Sequence, residues 1–219
     1  RRHLNLLGSL HFESGEVDLA QDTWLGQLED ATAAGDDEFA ARACNNLGVV
    51  ATLRDELPEA LTYYSRAVSA YHQVGYARGL GQAHHNLGMT YREMGFLKEA
   101  DAHFREADRY ARRAASSDEV ARVAQERSLL LFMLGDAPLA RIVAASALDT
   151  YRRLEDPLGA AEVERVLGLV AMGEGLRDEA AEHLEASLDA ARSLGARLLE
   201  AEVLGARAAL ETAEGRAEE

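Results

Sequence analysis

Stepping through this sequence from Gly48 in intervals of 40 residues lands on a small residue each time: Gly8, Gly88, Ser128, Gly168 and Ala208. The position before it holds Leu7, Leu47, Leu87 and Leu167, with Arg127 and Arg207 as exceptions. Seven positions after it stand Gly15, Asp55, Gly95, Gly135, Gly175 and Gly215, and twelve after it Ala20, Ala60, Ala100, Ala140 and Ala180. A register held without insertion or deletion marks a solenoid, in which each unit buries its apolar face only against its neighbours. The stretch from Cys44 to Ala67 reads as one complete packed helix pair, and the rest of the chain repeats it.

Within the second unit, Ala43, Leu47, Val50 and Ala51 fall at helical spacing and predict a first helix over 37–53. Ala60, Tyr64, Ala67, Val68 and Tyr71 predict a second helix over 58–74. Asp36-Asp37-Glu38, Ser117-Asp118-Glu119 and Asp156-Pro157 place acceptors, acids or an early proline where first helices open. Pro58 and Pro138, two periods apart, fall in the first turn of second helices, where a missing N–H is harmless. Gly35, Gly75 and Gly195 sit where second helices end and a left-handed residue is useful. The expected architecture is an all-α right-handed superhelix spanning 1–219 as a single solenoid. Its repeats run approximately 1–35, 36–75, 76–115, 116–155 and 156–195, with a terminal helix over 196–214. The first residues already stand in helical register and Gly215 takes a turn position, so the expectation is a piece of a longer protein.

At 47% hydrophobic and 28% charged, the 219 residues are apolar enough to bury a core. No apolar run approaches the roughly 18 residues of a membrane span, and no charged-then-apolar leader opens the sequence. A net charge of -15 argues against gripping a phosphate backbone, so no direct nucleic-acid partner is expected. The single Cys44 excludes an internal disulfide and suits a reducing compartment, which gives a cytoplasmic expectation.

The repeat resembles the tetratricopeptide repeat, with Leu87-Gly88, Tyr91, Ala100, Phe104 and Ala107 carrying the likeness. The ordinary unit is about 34 residues, and six more lengthen each helix by about 4.5 Å. The longer unit, with Asn before Leu-Gly and a Gly35-Asp36 loop, is similar to the subclass of kinesin light chain, of GoLoco-motif spindle-orientation scaffolds and of bacterial regulator sensor regions. The fourth repeat departs from the pattern: Arg127 replaces Leu, Ser128 replaces Gly and Ala144 replaces the aromatic. A buried unpaired Arg is costly, so either Arg127 reaches Glu126 or Glu164, or that helix is rotated; the junction is read as a local irregularity over a hinge.

Catalytic motifs are lacking. Gly79-Leu80-Gly81 has no third glycine and follows no strand pattern, no Gly-x-Ser-x-Gly elbow occurs, and Cys44 has no partner pattern. His84 and His85 diverge by about 100° on a helix and do not chelate together. No enzyme activity, metal or cofactor is therefore expected. The acids of the second helices, such as Glu179, Glu182, Glu185 and Asp189, read as a solvated outer face.

The resemblance implies that first helices line a concave groove and contact ligand through their second, fifth, sixth, ninth and twelfth positions, with the glycine as eighth. Carried onto this sequence, the candidates are Arg42, Asn45, Asn46, Gln82, His85, Asn86, Met89, Arg92, Arg122, Gln125 and Arg165. Amides suit an extended peptide backbone and Arg suits its carboxylates. The two-Lys carboxylate clamp of chaperone-binding members is absent. The expectation is a protein- or peptide-binding scaffold or sensor module, its ligand carrying acidic groups; the alternative is a small-molecule-sensing regulatory domain of a larger signalling or transcriptional regulator.

Overall fold

The computed structural model describes residues 2–218, with side chains described to residue 212; Arg1 and Glu219 lie outside it. The described residues form eleven α-helices and no strand, in two compact units, 1–116 and 117–219. The first unit holds α1 (Arg2–Glu13), α2 (Val17–Ala33), α3 (Asp37–Leu53), α4 (Leu57–Val74), α5 (Ala77–Glu93) and α6 (Leu97–Arg113). The second holds α7 (Ser117–Met133), α8 (Ala137–Arg153), α9 (Pro157–Gly173), α10 (Arg177–Leu194) and α11 (Arg197–Glu218). In each unit a helix packs on its neighbours in sequence and, among first helices, on the next but one, so α1, α3 and α5 form one layer and α7, α9 and α11 another.

Three of the helix starts carry side-chain caps. Asp36 accepts from the Phe39 N–H, Asp136 from Leu139, and Asp156 from both Leu158 and Gly159 at 3.1 and 3.0 Å. Every turn closes on a left-handed residue: Gly in seven cases, Asp55, Ala115 and Glu155 in the others. The expected turn at Gly215 does not form. Helix α11 runs through it to Glu218, because Ala, Glu and Arg on either side are strong helix formers and an interior Gly costs only about 1 kcal/mol.

The core is built from matched sizes. An added β-carbon on Gly88 would meet Phe104 at 2.7 Å and one on Gly168 would meet Leu184 at 2.8 Å. Gly8 is covered by Trp24 in the same way. A second set of pairs joins consecutive repeats: Tyr71 covers Gly79, and Tyr151 lies as closely on Gly159. Where Ala191 replaces the tyrosine, Leu199 replaces the glycine, and both are buried in one cluster.

The fourth repeat keeps its register, since Ala121, Ser128 and Leu131 are buried as Ala41, Gly48 and Ala51 are. Helix α7 is therefore not rotated. Ser128 fits because Ala144 vacates the aromatic's space, and its hydroxyl donates to the Gln125 carbonyl at 2.6 Å. Arg127 is half-buried and engaged, and Glu164, one acid expected to receive it, is held by Arg152 and His183.

Candidate partner-binding surface

The polar candidates of the first unit lie on α3 and α5, and its amides bond from one first helix to the next. Asn46 Nδ2 donates to Asn5 Oδ1 at 3.3 Å, and Asn86 Nδ2 donates to Asn45 Oδ1 at 3.1 Å. The sixth-position amide thus always donates to the fifth-position amide of the repeat before. These bonds employ one end of each group, so the NH2 of Asn45 and the carbonyl of Asn86 retain hydrogen-bonding capacity at half-buried positions.

Arg42 pairs with Glu38 one turn earlier at 2.8 Å, and its guanidinium lies over the Tyr76 and Phe39 rings at 5.4 and 5.8 Å. Packed between acid and aromatics, its planar head is oriented before any ligand arrives. Gln82, Met89 and Arg92 are half-buried on α5. His85 is not at the surface: it is 8% exposed, with its ring 5.8 Å from Phe104.

In the second unit Arg122 is exposed, whereas Gln125 is 8% exposed and used at both ends. Its Nε2 donates to Glu162 at 2.6 Å and its Oε1 accepts from the Tyr151 hydroxyl at 2.9 Å. Burial raises the Tyr151 hydroxyl's pKa, so it stays a donor. Arg165 lies 3.2 Å from Glu202. Asn5, Asn45, Gln125 and Arg165 all occupy the fifth position, and each bridges to the following first helix. In the sequence this stapling shows only as complementary residues 37 or 41 apart.

Other candidate chemistry is weaker. Burial pushes the Cys44 thiol up, so it stays protonated and a poor nucleophile. His84 and His85 diverge as expected, but His84 meets His103 instead, Nδ1 to Nδ1 at 3.0 Å. The acids of α10 are partly engaged: Arg141 pairs with Glu179, and Arg207 with Glu185 at 2.6 Å. Among the described residues no three His, Cys, Asp or Glu converge as for a metal ion, and no helix is long and apolar enough to cross a membrane.

A family model for the tetratricopeptide repeat matches residues 40–74 and 82–118. No curated protein matches by sequence. Among solved structures, BtubC (BKLC) from P. vanneervenii is similar at a TM-score of 0.79 and 17% identity, over 89% of this chain and 80% of that one. A Rap protein solved with Competence and Sporulation Factor is similar at 0.77 and 17% identity, over 91% of this chain and 56% of that one. YrrB, described as a TPR protein with an unusual peptide-binding site, is similar at 0.62 and 18% identity, over 93% and 90%.

Proposed function

We infer, from the premise that this chain belongs to the tetratricopeptide-repeat family, that it is a non-enzymatic module binding a protein or peptide through its first-helix faces. The observation that carries this reading is the half-used amide pair Asn45–Asn86 beside the pre-oriented Arg42. A peptide backbone in extended form presents alternating N–H and C=O groups, which match the remaining carbonyl of Asn86 and NH2 of Asn45. Carboxylates on that peptide would pair with Arg42 and Arg92 of the first unit, and Arg122 offers a cation of the same kind in the second, on a chain of net charge -15. Met89 adds an apolar contact. His85, Gln125 and Arg165 belong to the reading as supports that hold the helices together, and Asn46 joins the amide row through Asn5. The peptide-binding site named for YrrB supports the same ligand class.

The test compares wild type with Asn45→Ala/Asn86→Ala/Arg122→Ala as baits in source-cell extract, read by mass spectrometry. The expected result is a protein captured by wild type and lost from the triple variant, whose helicity and melting are unchanged. Equal capture by both would overturn the use of these residues, and no capture by either would favour small-molecule sensing.

A further inference from the structure

Repeat three places two imidazoles where no other repeat does. The fourth position of α5 and the facing position of α6, 19 residues later, hold His84 and His103; the same two positions hold Cys44 and Tyr63, Ala124 and Val143, and Glu164 and His183 elsewhere. The two Nδ1 atoms approach to 3.0 Å, which requires one ring to donate and the other to present its lone pair. Each ring plane is fixed from outside the pair: Tyr91 stacks on His103 at 5.2 Å and 7°, and Tyr110 on His84 at 5.7 Å and 12°. Each imidazole is thus stacked on a tyrosine, and the two meet edge to edge, tilted by 30°, through their Nδ1 atoms. Burial lowers the pKa of both rings, that of His84 to about 4, so both are neutral at pH 7 and neither is charged against a cation.

We propose that His84 and His103 form a two-nitrogen site for a borderline divalent cation of the zinc or nickel kind. Metal–nitrogen bonds of about 2.0–2.1 Å at a tetrahedral centre put the two nitrogens about 3.4 Å apart, so binding opens the pair by about 0.4 Å and turns the two rings, now edge to edge, within their planes until both lone pairs converge on the ion. Imidazole suits these ions better than magnesium or calcium, and solvent completes the shell. Binding shifts the donor ring's proton from Nδ1 to Nε2, so both Nδ1 lone pairs face the metal and no proton is released. The neighbouring charges oppose each other, Glu106 favouring the cation and Arg109 disfavouring it.

The test is isothermal titration of the purified chain with Zn2+ at pH 7.5 in two buffers of different ionisation enthalpy. One equivalent is expected, with the same enthalpy in both buffers. His84→Gln and His103→Gln should each weaken it at least as much as losing an outer-shell partner does, roughly 10–100-fold, while His183→Gln leaves it unchanged. Circular dichroism and melting identify any variant that fails to fold, and zinc-induced shifts of the His84 and His103 ring resonances in the wild type supply a readout that needs no variant. No uptake by wild type, uptake insensitive to both substitutions, or ring shifts confined to other histidines would each overturn the proposal.

Discussion

The ring of Tyr64 occupies the space that a side chain on Gly48 would need: a β-carbon there would meet Tyr64 Cε1 at 2.5 Å. The pairing recurs with Trp24, Phe104 and Leu184 on their glycines, and is exchanged in the fourth repeat for Ser128 against Ala144. What repeats along the chain is therefore the sum of two volumes, not one residue.

That account predicts coupling. Gly88→Leu should destabilise by about 1–3 kcal/mol or more, since Phe104 has no room to retreat. Gly88→Ser with Phe104→Ala imports the fourth repeat's solution, and should cost less than the sum of the single changes by at least about 0.5 kcal/mol. Urea unfolding of the four proteins measures this cycle. Strict additivity would show that the two positions do not share one space.

The left-handed turn residues give a prediction of opposite sign. Ala115 and Glu155 have φ of 53° and 54°, where a β-carbon is strained, while the equivalent Gly35, Gly75 and Gly195 are not. Ala115→Gly and Glu155→Gly should each stabilise, by up to about 1–2 kcal/mol. Gly75→Ala should destabilise. Asp55→Gly should gain less, because Asp tolerates this region. Thermal melts of the variants decide it, and a loss on Ala115→Gly would mean that the turn geometry is otherwise.

Much of this fold was legible because its signals are local. The helix expected over 37–53 is α3, and the one expected from residue 58 begins one residue earlier at Leu57. Caps, prolines and left-handed glycines act within a few residues, so a single sequence displays them. The candidate surface was less legible: position within a repeat says which way a side chain faces, but not whether it is already engaged. Gln125 and Asn45 share a position, yet one is consumed by Tyr151 and Glu162 while the other keeps a free end. The pairing of His84 with His103 is not legible from position alone because it depends on how two antiparallel helices are aligned, although Glu164 and His183 repeat the spacing.

The buried imidazole pair predicts acid sensitivity. The pKa of His84 is lowered from 6.5 to about 4, by burial first and by His103 second, so the folded state binds fewer protons than the unfolded chain between those values. Its contribution to stability is complete above pH 6.5 and is lost progressively as pH falls towards 4. His103, also lowered, acts in the same direction. Urea midpoints from pH 7.5 to 4 should fall steeply for wild type and less for a His84→Gln/His103→Gln chain. Equal slopes would place the acid sensitivity elsewhere.

Gln125 and Asn86 provide the sharpest separation of support from recognition. Gln125→Leu removes both the acceptor for the Tyr151 hydroxyl and the donor to Glu162, leaving a buried hydroxyl unpaired, and should destabilise by about 1–3 kcal/mol. Since its amide is spent internally, affinity for a captured partner should be preserved below the new melting transition. Asn86→Ala removes one inter-helix bond at a half-buried site, for about 0.5–1.5 kcal/mol, but also the carbonyl that the proposed peptide would engage. The two variants should therefore rank in opposite order on unfolding and on binding, measured by urea titration and by partner affinity. If Gln125→Leu lost affinity at temperatures where it remains folded, Gln125 would be a ligand contact like Asn45, and the division between stapling and recognising residues would have to be redrawn.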